Sequence, residues 1–337
     1  MNFWQVAAGE GGRDYSKVFL QYGVMLIGSG DPGPYFGRED YYGSRLWGHT
    51  IGYFAKQVAK DDIVILKKPY DRKTWQVQAV GRVIGDYEWL EQFDDVQGWD
   101  LQHCRRVEWV CPAGLRKVAG LARGTFRRVY NSEVKAVAQA VLEEGQKQPV
   151  NEIPPAAKAV SDEDLIDYLI DNGLRPGDAE MVIQTIWRIR RLGRWYEKHG
   201  KDLSEHEIRT FLIVPILLAL GWSEQKLKIE WKNTDISFFS RVYDSGDEPC
   251  MILESKRMGE GLGYAEKQVQ RYAKDMPSCK RLIVSDGIRY YLYVKQGESW
   301  DFEKDLKAYM NLLRLKNRHP YRTDVGGAPD LFISLMP

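Results

Sequence analysis

The sequence predicts a mixed α/β protein of two domains: an N-terminal small β-barrel with helices, then a helical linker, then a C-terminal α/β/α domain. Three observations predict it. The first hundred or so residues carry short β-type runs punctuated by glycine. A proline-rich polar stretch follows near residue 150. Beyond residue 200 the pattern becomes helix, strands, helix, strands, the ordering of an α/β domain. A chain of 337 residues also exceeds the ~250–300 residues at which single cores usually stop growing. The expected divisions are residues 1–145, 146–200 and 201–337.

In the first division the β-type runs are Phe3–Ala8, Val24–Ile27, Ile63–Lys67, Trp75–Ile84 and Arg106–Val110. Gly9-Glu10-Gly11-Gly12 and the Gly28–Pro34 stretch separate them as turns; the latter is either a plain surface turn or a loop for a phosphate or a base edge. Ser132–Glu144 reads as a helix with Val134, Val137, Ala138 and Val141 on one face. Gln146–Pro155 has the composition of a linker. Ser161 with Asp164 three residues on forms a capping-box pattern ahead of a helical region reaching Lys198, with Leu165, Tyr168 and Leu169 as its apolar stripe.

Composition narrows the function. The longest apolar run, Phe211–Leu220, is interrupted by Pro215 and falls short of the ~20 residues of a membrane span. Met1-Asn2-Phe3-Trp4 has no signal-peptide character, so a cytoplasmic protein is expected. Cys104, Cys111, Cys250 and Cys279 lack CxxC spacing, and the five histidines form no HExxH or HxH pair. Any metal chemistry must therefore rest on carboxylates, which favour hard ions such as Mg²⁺. No GxxxxGK[ST] loop occurs, hence no recognisable ATP-driven motor. Net charge is +1, yet Arg116, Lys117, Arg123, Arg127 and Arg128 lie close together. They are read either as phosphate contacts or as a solvated helix face.

One constellation carries chemistry. On a strand, residues i and i+2 share a face, so Glu-x-Lys at a strand end aims both side chains at one spot. Met251-Ile252-Leu253-Glu254-Ser255-Lys256 has this form. The same spacing recurs at Asp71/Lys73, Glu133/Lys135, Glu230/Lys232 and Asp305/Lys307. Only Glu254/Lys256 follows a clean apolar strand with an acid, Asp235, on an adjacent predicted strand (Asp235–Phe239). Glu205 opens the predicted helix Ser204–Leu220 and can approach from the side; Glu207 is the alternative, since one helical turn has no register in sequence. After the Glu-x-Lys strand come Gln268 and Tyr272, one helical turn apart, and then two strand-like runs, Arg281–Ser285 and Tyr290–Val294.

With these residues in view, Leu203–Val294 resembles the PD-(D/E)XK nuclease domain at the N-terminus of type I restriction enzyme R subunits. The matching signals are Glu205-x-x-x-Arg209, Pro215-Ile216-Leu217-x-x-Leu220-Gly221-Trp222, Thr234-Asp235, Leu253-Glu254-Ser255-Lys256, Gln268-x-x-x-Tyr272 and Val284-Ser285-Asp286-Gly287. Thr234 departs from the proline that often precedes the aspartate. Ala308-Tyr309-Met310-Asn311-Leu312-Leu313 suits that family's trailing helix. The resemblance implies that Asp235 and Glu254 ligate Mg²⁺, with Glu205 supporting the metal or a second ion. Lys256 would orient or deprotonate the attacking water, and Gln268 would position the lysine or the phosphate.

Residues 1 to about 110 resemble a PUA-type domain of the EVE or YTH-like group. The resemblance rests on Phe3-Trp4-Gln5-Val6, Met25-Leu26-Ile27-Gly28, Asp61-Asp62-Ile63-Val64, Ala79-Val80-Gly81-Arg82-Val83 and Arg105-Arg106-Val107-Glu108-Trp109. Such domains hold an extruded, often modified base by stacking and edge hydrogen bonds. The rings available are Trp4, Tyr15, Tyr22, Tyr35, Trp47, Tyr87, Trp89 and Trp99, most of them expected in the core. Trp4, Trp47 and Trp89 are the first candidates for the pocket. Together the two resemblances imply a modification-dependent, Mg²⁺-dependent DNA endonuclease of the type IV restriction kind, acting in defence against foreign DNA and dimeric at least during cleavage. The alternatives are a non-cleaving nucleic-acid-binding module on a nuclease scaffold and an RNA-directed nuclease.

Overall fold

Short runs of aliphatic and aromatic residues build a sheet in each half of the chain. The structure is a computed structural model describing residues 1–9, 14–199, 203–258, 268, 276 and 279–337. Contacts divide the chain into two units, Met1–Ala156 and Ala157–Pro337. The fold is mixed α/β, with a curled half-barrel sheet in the first unit and a second sheet plus helices in the other.

The first unit contains β1 (Phe3–Ala7), α1 (Ser16–Tyr22), β2 (Val24–Ile27), α2 (Glu39–Gly43), α3 (Gly48–Lys56), β3 (Ile63–Pro69), β4 (Thr74–Trp89), β5 (His103–Cys111), β6 (Arg116–Ala119), β7 (Phe126–Arg128), α4 (Ser132–Glu144) and β8 (Gln146–Lys147). The main strand order is β2-β5-β4-β3-β1-β7, with β6 beside β4 and β8 beside β5. β1 runs parallel to β3 and its other pairings are antiparallel. A small barrel was the expectation, and the sheet is a curled half-barrel; among the described residues β2 pairs with β5 alone and β7 with β1 alone. The two edge strands are short, four and three residues.

α4 starts where Asn131 accepts hydrogen bonds from the Glu133 and Val134 amides. It buries Val134, Ala138 and Val141 against Phe3, Ile63, Ile65, Val80 and Val110. The basic cluster corrects one expectation: Arg116 and Lys117 lie on β6, and Arg127 and Arg128 on β7, all exposed, so they do not form a helix face. Val118 and Phe126 are the single buried residue of each strand, too little apolar signal for a basic stretch to read as strand.

The second unit begins with α5 (Asp162–Asp171) and α6 (Pro176–His199), followed by α7 (Glu205–Ile208), a π-helical turn (Arg209–Ile213) and α8 (Val214–Ala219). Capping boxes close the start of α5 (Ser161/Asp164) and of α7 (Ser204/Glu207). Pro215 in the first turn of α8 has no amide to offer the preceding turn, and the ladder widens there to π geometry. The strands are β9 (Leu227–Trp231), β10 (Thr234–Phe238), β11 (Met251–Ser255), β12 (Arg281–Ser285), β13 (Arg289–Val294) and β14 (Leu306–Asn311), and the chain closes with α9 (Ala328–Leu335). Their order is β14-β13-β12-β11-β10-β9, antiparallel except for the parallel β11–β12 pair.

The segment 308–313, expected as a trailing helix, is mostly strand β14, paired with β13. Ala308 and Met310 face the helices while Tyr309 faces the opposite side. Both faces are buried, so the run is apolar throughout and its period is hidden. One sheet face packs on α5, α6, the π turn, α8 and α9, through Leu165, Ile186, Leu212, Ile216 and Phe332 among others. The helical segment after the linker therefore belongs to the second unit's core. Gly193 lets α6 come close, since a Cβ there would stand 2.5 Å from Ile288 Cδ1. No helix among the described residues is long and apolar enough to cross a membrane.

Candidate functional site

Two sites emerge, one in each unit. In the second, β10 and β11 are antiparallel with Ile236 opposite Leu253 and Ser237 opposite Ile252. One step further along the same register, Asp235 stands opposite Glu254, and cross-strand partners share a face. β11 lies parallel to β12, and the Lys256 amide donates to the Ser285 carbonyl at 2.8 Å. The ladder thus continues past Ser255 and keeps Lys256 on the face of Glu254.

The ammonium of Lys256 donates to Glu254 Oε1 at 2.7 Å and to Gln268 Oε1 at 3.1 Å, with Glu205 Oε1 3.9 Å away. Gln268 thus meets the lysine; Tyr272 lies outside the described residues. Between the two acids of α7, Glu205 is the one facing Lys256, whereas Glu207 accepts from the Ser204 amide and hydroxyl in the capping box. The five residues singled out in the sequence come together at the ends of β10 and β11.

Glu254 is 2% exposed. Burial, and then the charge of Asp235, push its carboxyl up to about 7, against the pull of Lys256. Burial works against the charge of Lys256, but the hydrogen bond and charge of Glu254 outweigh it and hold the ammonium above its ordinary value. This lysine is a proton-bearing donor near neutrality.

Arg209 was legible only as a spacing, four residues after Glu205. In the structure it is buried at the start of the π turn and makes an ion pair with Asp235 Oδ1. It also donates to Glu230 Oε1 at 2.6 Å and lies 3.4 Å from Ser255 Oγ. Asp235 Oδ2 accepts the Ser255 amide and hydroxyl, both at 2.7 Å. The rival pair Glu230/Lys232 is thereby explained: Glu230 is a counter-ion for Arg209, and Lys232 sits over the Trp231 ring. The Ser285-Asp286-Gly287 motif is a turn. Asp286 accepts the Ile288 and Arg289 amides and pairs with the buried Arg289 guanidinium. Gly287, at φ +83°, leaves room for the π turn, since a Cβ would meet Leu212 Cβ at 2.6 Å.

The donor set fits a hard divalent cation. Asp235 and Glu254 supply carboxylate oxygens at neighbouring strand ends, each already paired with one cation, Arg209 and Lys256. Among the described residues no trio of acid, histidine or cysteine side chains is gathered for a metal. Mg²⁺ commonly uses one or two carboxylates, with water and phosphate oxygens completing its shell.

The first unit holds a cavity of about 380 Å³ whose lining includes Tyr15, Phe19, Trp47, Trp99, Ser29 and Asp100. Of the three rings expected there, Trp47 is a wall. Trp4 is core instead: 2% exposed, its indole N–H donating to Asp62 at 2.8 Å and its ring stacked on Phe126. Trp89 is half-buried and donates to the Gly30 carbonyl at 3.0 Å, which ties down the 28–34 loop without lining the cavity. Trp99, one of the rings the sequence offered but not a first candidate, is also a wall, and the neighbouring Asp100, in a loop with no periodic signal, was not anticipated. Ser29 Oγ donates to Asp100 Oδ2. Behind them His103 is fully buried. Its Nε2 donates to the Ser29 carbonyl at 3.1 Å and its Nδ1 accepts the Tyr87 hydroxyl at 2.7 Å. Burial pushes this imidazole down to about 4, so it is neutral and keeps one tautomer.

Residues 4–127 match the model of a family described as a domain of unknown function, DUF8426. That match spans nearly all of β1 to β7 and the residues that line the cavity. No curated protein matches the chain.

Proposed function

We propose that this chain is a modification-dependent DNA endonuclease, with a PD-(D/E)XK centre in the second unit and a PUA-like reader of modified bases in the first. The observation that carries the reading is the convergence of Asp235, Glu254, Lys256, Gln268 and Glu205 at one strand end. Asp235 and Glu254 would hold Mg²⁺. When bound, that ion acidifies a water and steadies charge on the phosphate oxygens. Lys256, with two donor hydrogens engaged, offers the third to the attacking water or the phosphate. As an ammonium it suits orientation rather than proton abstraction. Gln268 and Glu254 hold it in place, and Glu205 keeps a further carboxylate beside it. In the first unit, Trp47 and Trp99 offer stacking faces and Asp100 an acceptor edge for an extruded base, in a cavity of the size that holds small ligands. A double-strand break needs two such centres, hence a dimer during cleavage.

The test is cleavage of matched plasmids, unmodified, cytosine-modified and adenine-modified, with Mg²⁺ and with Lys256→Ala alongside. Cutting of a modified plasmid alone, lost in the variant, is expected. Indiscriminate cutting would discard the reader. The engagement of both Asp235 oxygens by Arg209 and Ser255 favours one second reading, a scaffold that binds nucleic acid without cutting it. No cutting of any plasmid or RNA, with undiminished binding by Lys256→Ala, would establish that reading instead.

A further inference from the structure

α6 exposes a face that the candidate centre does not use. Arg188, Arg191, Trp195 and Lys198 follow one another at spacings of three and four, which stacks them along one side of the helix. All four are exposed, as is Arg194 beside them, and among the described residues none of the four cations forms an ion pair. Helix formation needs none of them, since α6 is held by Val182, Ile183, Ile186 and Ile189 on its other side. The exposed rings are equally unneeded by the core: Trp195 is 55% and Phe211 41% accessible. Between α6 and the π turn these residues border a surface groove of about 530 Å³, lined by Arg188, Arg191, Leu192, Trp195, Tyr196 and Phe211. Phe211 lies two residues after Arg209 on the same π turn, so the groove borders the segment that grips Asp235.

We infer that this groove docks a nucleic-acid strand, with Arg188 and Arg191 on successive phosphates and Trp195 and Phe211 against a base or sugar face. Charge complementarity selects that occupant. Unpaired guanidinium groups match the regular spacing of phosphodiester anions, and exposed aromatic rings between cations supply stacking without base identity. The groove would feed a strand toward the acids on β10 and β11. The inference rests on the nuclease reading and adds to it where the substrate enters.

The experiment is fluorescence anisotropy of labelled single-stranded and duplex DNA with EDTA present, over a range of salt concentrations. It compares the full chain with Arg188→Ala/Arg191→Ala and with Trp195→Ala; cleavage with Mg²⁺ is measured separately. The double variant should bind every DNA more weakly, modified or not, with a slope of log K against log salt shallower by about 1.5 to 2. Trp195→Ala should keep the slope and lose about tenfold in single-strand affinity. All three positions are exposed, so unchanged melting curves should accompany these losses. Wild-type binding matched by both variants would overturn the groove and leave the nuclease reading intact. A wild-type chain that binds no nucleic acid overturns both. A dimer that dissociates in the double variant, with DNA binding unchanged, or vesicle binding lost in its place, would assign the face to self-association or to anionic lipid and overturn the inference.

Discussion

Replacing Lys256 with methionine isolates the electrostatics of the candidate centre. Glu254 is 2% exposed and its main cation is Lys256, at 2.7 Å. Breaking a buried pair costs about 3–5 kcal/mol when the remaining group must stay charged. Glu254 has an escape, because its carboxyl already titrates at about 7 rather than 4.5. A carboxyl raised in the fold favours folding most below its unfolded value. That advantage drains away as pH climbs from 4.5 to about 7 and is constant above. Lys256 is what halts the drain near 7. Its own raised value keeps its contribution constant until pH exceeds the ordinary lysine range. Without it, Glu254 titrates higher, and the variant goes on losing about 1.4 kcal/mol per pH unit above 7. The stability gap between wild type and Lys256→Met should therefore be under about 1 kcal/mol at pH 6 and roughly 2 kcal/mol by pH 8.5. Urea denaturation from pH 6 to 9 measures it, with Lys256→Met/Glu254→Gln expected to abolish the pH dependence. A gap that is flat with pH, or already several kcal/mol at pH 6, would refute the coupling.

Three further outcomes are expected. Gly287→Ala puts a methyl 2.6 Å from Leu212 Cβ at a φ of +83°, so it should cost about 2 kcal/mol in denaturant melts; a neutral effect would contradict the close approach. His103, neutral and buried with a value near 4, stabilises the fold above the unfolded value of 6.5 and loses that contribution as pH falls from 6.5 toward 4. His103→Asn should accordingly show a shallower decline in melting temperature over that window. Trp47→Ala and Trp99→Ala remove cavity walls that are 41% and 37% exposed. They should leave melting nearly unchanged while weakening binding of modified-base oligonucleotides about tenfold or more, whereas Trp4→Ala should cost about 3–5 kcal/mol of stability.

What the sequence by itself determined is the set of features whose physics is local. Short apolar, β-type runs announced β1, β2, β3 and β11. The Ser161/Asp164 pattern announced the start of α5, and an i, i+2 pair on an apolar strand announced Glu254 and Lys256. Asp235 followed from them, since an acid on a neighbouring antiparallel strand needs only the right register. Tertiary structure decided whatever depends on distant partners. β14 reads like a helix in one dimension because both its faces are buried. How far the first sheet curls depends on which strands pair across it, since β1 joins β3 across some 60 residues of chain to make the half-barrel. Trp4 and Trp47 are alike as letters, yet Asp62 and Phe126 draw one into the core while the other walls a cavity with Trp99 and Asp100. Arg209 acquires its role only when the π turn sets it between Glu230 and Asp235, two acids 21 and 26 residues along the chain. Periodicity and capping are written within a few residues, but counter-ions and cavity walls exist only once the sheets have closed on their helices.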